Sequence, residues 1–78
     1  DKAFDKTPRT VTGVMEDGAM MSILLKLPDG NKITVRRLGI DTSKLKSMNI
    51  GDKIKVTYTG VLNGTDTSRM FVKKLENA

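Results

Sequence analysis

The sequence predicts an all-β domain in which five strands close into a small barrel. Three observations carry that expectation. Apolar residues alternate with period two in several short segments, turn signals recur about every ten residues, and helical periodicity is missing. Only one connection is long enough to hold more than a tight turn. With 78 residues and no cysteine, an isolated sheet with exposed edges would bury too little. Closure would bury one side of every strand and remove the edges.

The first strand is read as Arg9 to Glu16, with Val11, Gly13 and Met15 on one face and Thr10, Thr12 and Val14 on the other. Gly13 is expected to mark a bulge or bend, and Asp17-Gly18 to form the hairpin turn that follows. Ala19 to Leu27 is the most apolar stretch. Met21, Ile23, Leu25 and Leu27 alternate there with Met20, Ser22, Leu24 and Lys26. Both faces are apolar around Met20 to Leu25, so Met20 and Leu24 are either covered or form a protein-contact patch. Pro28-Asp29-Gly30-Asn31 supplies a second turn, with proline presetting φ and Gly30 and Asn31 accepting positive φ.

Lys32 to Arg37 is the third strand, with Ile33 and Val35 facing in. Leu38 to Asp52 then breaks the rhythm. Asp41, Thr42 or Ser43 is expected to cap a single helical turn through Met48, and Leu45, Met48 and Ile50 to drop onto the barrel end. The fourth strand, Lys53 to Leu62, alternates cleanly through Ile54, Val56 and Tyr58 until Gly60 shifts the pattern as a bulge. Asn63 to Ser68 reads as a polar hairpin loop. Arg69 to Glu76 closes the chain, with Met70 and Val72 opposing Phe71, Lys73 and Leu75.

The resulting β-β-β-α-β-β order resembles the OB-fold, a five-stranded Greek-key barrel. Gly13, the Asp41 to Met48 segment and the run Ile50-Gly51-Asp52-Lys53-Ile54-Lys55-Val56 carry the resemblance. An SH3-like barrel and an open sandwich half are the other architectures this order fits. Residues 9–78 are expected to form the domain, with 1–8 a polar, unpatterned lead-in. Such an opening, starting at Asp1 rather than Met, fits a segment left after a signal peptide or beyond a lipid anchor. A boundary inside a larger protein fits equally.

Without histidine or cysteine, the usual proton shuttle and the thiolate nucleophile are both missing. The serines have no base to activate them, and most aspartates sit in turns, where they cap backbone. A non-enzymatic chain with no cofactor or metal site is therefore expected. The Asn63, Thr65 and Asp66 oxygens read as turn chemistry rather than a calcium loop. No apolar run reaches the roughly 20 residues of a membrane span.

Fourteen Lys and Arg against nine Asp and Glu give a net charge of +5. That balance suits nucleic acid, anionic lipid headgroups or an acidic protein partner, and equally suits solubility alone. The candidate ligand-binding face comprises Lys26, Lys32, Arg36, Arg37, Lys55, Arg69, Phe71 and Lys73. Single-strand nucleic-acid binders stack bases on exposed rings. Here Phe4, Tyr58 and Phe71 are the only rings; Tyr58 is in phase with the core, and Phe71 is the one candidate stacker. The expected function is that of a small binding or accessory module, a monomer or weak dimer, in the bacterial cell envelope. The alternative is a cytoplasmic oligonucleotide-binding module.

Overall fold

The computed structural model describes residues 7–18, 21–36 and 39–78. Period-two alternation is realised as six strands: β1 (Arg9–Gly18), β2 (Ser22–Lys26), β3 (Lys32–Arg36), β4 (Asp41–Lys44), β5 (Lys53–Gly60) and β6 (Met70–Asn77). They form one sheet in the order β3-β2-β1-β5-β6-β4. Every neighbouring pair is antiparallel except β4 and β6, which run parallel. The sheet curls into a half-barrel and stays open, with β3 at one edge and β4 at the other. The expected five strands are thus six, and the expected closure is not made.

The helical turn expected between the third and fourth strands is also corrected. The described residues contain no helix, and the segment holds β4 followed by an extended run. Competing hydrogen bonds explain this. The Asp41 carboxylate accepts the Ser43 amide at 2.9 Å, and Leu45 N–H reaches the Thr42 carbonyl at 3.0 Å, which makes one turn. The next two amides, of Lys46 and Ser47, donate instead to Asn77 Oδ1 at 2.6 and 3.1 Å. Asn77 Nδ2 donates in return to the Ser47 carbonyl at 2.9 Å. A side chain thirty residues away thus takes the amides a helix would need. Leu45 and Met48 pack on the core as expected, whereas Ile50 is 73% exposed.

Two bulges shape the curl. Glu16 is the extra residue between the pairs Met15–Leu25 and Asp17–Leu24. Lys73 is the extra residue between Tyr58–Val72 and Thr57–Lys74. An added residue turns every later side chain to the other face. That is why Leu75, expected opposite Met70 and Val72, instead joins Met70 in the core with no exposed surface. Gly13 is not the bulge: it pairs regularly with Ile54. It allows close approach of β1 and β2, because a Cβ there would lie 3.0 Å from Leu25 Cβ and 3.2 Å from the Lys26 carbonyl oxygen.

Asp17-Gly18 lies inside β1, paired with Leu24 and Ile23, so it is not the turn itself. The Pro28 turn forms as expected. It is a three-residue hairpin loop closed by Leu27 N–H to the Asn31 carbonyl at 2.7 Å, with Gly30 at φ 90°. Asn31 does not share the positive φ expected of it. The polar hairpin loop after β5 is confirmed by the Asn63–Asp66 bridge.

The core lies on the concave side of the half-barrel. It contains Ile23, Leu25, Ile33 and Val35 from β2 and β3, with Ile54, Val56 and Tyr58 from β5. Met15, Leu27, Met70 and Leu75 complete it, and no polar side chain is buried among the described residues. Tyr58 faces inward as its phase predicts. Gly60 is not the bulge either: it pairs with Met70 as the last residue of β5.

Three carboxylates add a pH dependence to this packing. The Lys32 ammonium, 2.8 Å from Glu16 Oε1, holds the Glu16 carboxyl below its ordinary value. Ser43 does the same for Asp41, and Ser68 for Asp66, by donating hydrogen bonds to each carboxylate. A depressed native pKa stabilises the fold above the unfolded value, and that stability is lost as pH falls through the native one. Urea midpoints measured from about pH 6 down to about pH 3 are expected to fall mainly below pH 4.5, with the Asp41→Asn variant showing a shallower decline. These groups are exposed, so added salt is expected to shrink the Glu16 part.

Candidate functional site

The open side of the half-barrel is a cleft of about 690 Å³ between β3 and the first half of β6. Thr34, Val35 and Arg36 form one wall, and Met70 to Lys73 form the other. Ile40, Thr67 and Ser68 complete it, and no carboxylate lines it among the described residues. The volume falls in the ~300–1,000 Å³ range of clefts that hold small ligands.

Ladder geometry fixes what the two walls offer. In an antiparallel pair, backbone groups point alternately toward the partner strand and away from it. The Leu27 to Asn31 bond sets the phase of the β2–β3 hairpin. Ile33 and Val35 therefore pair with β2, while Thr34 and Arg36 turn their N–H and C=O groups away from it, toward the cleft. On β6, the 2.9 Å bond from Val61 N–H to the Arg69 carbonyl sets the phase, so Phe71 pairs with β5 and Val72 points outward. The β4 ladder reaches β6 only at Lys74 and Glu76. Val72 is thus left on an open edge, while the Met70 N–H on the same side donates to the Thr67 carbonyl at 3.1 Å.

The structure brings together three of the predicted site residues. Arg36, Phe71 and Lys73 line the cleft, and Arg69 stands beside it in sequence between Ser68 and Met70. Phe71 is 47% exposed, and neither Arg36 nor Lys73 is in an ion pair among the described residues. The other predicted cations are placed elsewhere. Lys32 is held by Glu16, and Lys55 lies 3.8 Å from Glu76 Oε1, which Lys74 also approaches at 3.7 Å. Lys26 lines a separate shallow groove with Glu16, Pro28 and Lys53. Arg37 lies outside the described residues, as do Phe4 and the Met20 of the expected contact patch. Thr34, Ile40, Thr67, Ser68 and Val72 line the cleft without having been singled out in sequence. Only the outward phase of Thr34 on its strand could have flagged one of them.

The chain is thus a small all-β domain built as a curled half-barrel. No family model matches it, and no curated protein or solved structure is significantly similar to it.

Proposed function

We propose that the domain is a non-enzymatic binding module that receives an extended, negatively charged partner in the cleft between β3 and β6. The observation that carries this reading is the cleft lining. Two cations without ion-pair partners among the described residues and an exposed ring face an opening that no described carboxylate contests. The lack of histidine and cysteine in the sequence supports a role without catalysis. The strand order β3-β2-β1-β5-β6 supports an OB-like ancestry for the sheet. On that reading, β4 is an addition at the end of β6, and the seam between β3 and β6 is left unclosed.

Oligoglutamate and oligothymidylate serve as probes of the two anionic classes. Titration by NMR at low salt is expected to shift the resonances of Thr34, Arg36, Phe71 and Val72 for at least one probe, with affinity falling as salt is added. The double variant Arg36→Glu, Lys73→Glu should weaken that binding by about tenfold or more, because like charges then line the cleft. Shifts that map to another face, or no salt-sensitive binding to either probe, would contradict the reading.

A single-stranded nucleic acid is the second reading, favoured by Phe71 exposed between Arg36 and Lys73. The bacterial cell envelope is the proposed setting, from the polar, unpatterned run ahead of Arg9. The gene sequence upstream of Asp1 tests it. A signal peptide ending in a lipobox cysteine supports it, and a further cytoplasmic domain excludes it.

A further inference from the structure

We infer that the partner is an acidic polypeptide segment that enters the cleft as an extended strand, pairs with β3 and β6 through its backbone, and completes the barrel. This rests on the reading of the cleft as an anionic binding site and specifies the occupant.

The hydrogen-bonding groups left open are those of a strand edge. Thr34 and Arg36 on β3, and Val72 on β6, present both N–H and C=O groups to the cleft, and no described backbone group answers them. An edge offering donors and acceptors in alternation is matched by another polypeptide backbone, which does the same. A phosphodiester backbone offers acceptors only, and would leave the Thr34 and Val72 carbonyls unanswered.

Four antiparallel steps lead from β3 through β2, β1 and β5 to β6, so β3 and β6 run the same way. One strand of opposite direction can therefore be antiparallel to both walls at once. Arg36 and Lys73 flank the opening with no described carboxylate beside them, so acidic side chains on the incoming strand are favoured. The same cations disfavour a second copy of this chain as the occupant. Its free β3 edge carries Lys32 and Arg36, and pairing two such edges places like charges against each other.

The test uses the whole chain and two capped peptides of alternating Glu and Val, about six residues long, the ordinary length of a strand. The second peptide is methylated on alternate backbone nitrogens, which keeps its charge and side chains but removes ladder donors. Binding is followed by NMR up to millimolar peptide, with amide exchange read at Thr34, Arg36 and Val72. The expected result is that the unmethylated peptide binds, slows exchange at those three amides at least tenfold, and loses most of its affinity on methylation. Equal binding of both peptides with no slowing overturns strand pairing while leaving an anionic cleft intact. Binding of oligothymidylate at the cleft without binding of either peptide transfers the site to nucleic acid and overturns this inference. If no probe binds at the cleft, both this inference and the function it rests on fall. If the peptide instead drives the chain to a dimer through β3, the occupant is a second copy and the inference is wrong.

Discussion

Replacing Gly60 with alanine is expected to unfold the domain or bring it close to unfolding. Gly60 sits at φ 87°, where an L side chain is strained, and a Cβ there would overlap the Arg69 carbonyl oxygen and lie 3.0 Å from Phe71 Cδ2. That oxygen is not free to retreat, because it accepts the Val61 amide at 2.9 Å in the hairpin joining β5 to β6. Left-handed backbone costs a non-glycine residue about 1–2 kcal/mol, and displacing a paired carbonyl adds about as much again. A domain of 78 residues has roughly 4–12 kcal/mol in total at the usual stability per residue. Circular dichroism melting should therefore show a loss of about 10–30 °C, at about 4–8 °C per kcal/mol for this size. A Gly60→Ala protein that melts with the wild type would show that β5 does not end as described.

Leu75→Ala is expected to have a comparable effect through the core. Leu75 has no exposed surface and lies opposite Val56 in the β5–β6 ladder, among the largest fully buried side chains. Truncating a buried leucine costs about 2–5 kcal/mol, from lost burial together with the cavity left behind. The neighbouring Lys73→Ala change, at the bulge on the exposed face, should cost far less. The contrast tests the phase change itself. If the strand ran without a bulge, Leu75 would point outward and its truncation would be nearly neutral. Chemical denaturation of both variants, compared with the wild type, reads this directly.

The strands that alternate strictly were legible because one face of each must be apolar and the other need not be. Ile33 and Val35, and Ile54, Val56 and Tyr58, are buried as their phase requires. The bulges were not legible. Both fall on non-glycine residues without positive φ, Glu16 and Lys73, whereas the glycines that invite a bulge, Gly13 and Gly60, serve close approach and strand ending. β4 escaped notice because Asp41-Thr42-Ser43-Lys44 is polar and reads as a helix cap. Its structure is set by the distant strand β6, and the run just after it is held by Asn77.

The candidate site was half legible for a similar reason. Arg36, Phe71 and Lys73 could be read as outward-facing, but their meeting across an open seam depends on how the sheet curls. Lys32 and Lys55 look equally available in sequence. In the structure each lies against a carboxylate supplied by another strand, Glu16 on β1 and Glu76 on β6. Net charge and composition therefore carry an expectation about partner class and none about where on the sheet cations are left without a carboxylate.

An open seam between β3 and β6 is central to binding in the cleft, and amide hydrogen exchange of the free protein tests it directly. Ile33, Val35 and Phe71 donate within the β2–β3 and β5–β6 ladders, so their amides should exchange slowly. Thr34, Arg36 and Val72 should exchange orders of magnitude faster, as unpaired edge amides do. Slow exchange at Thr34, Arg36 and Val72 in the free protein, matching that of Val35, would mean the barrel is already closed and the cleft is not a binding site.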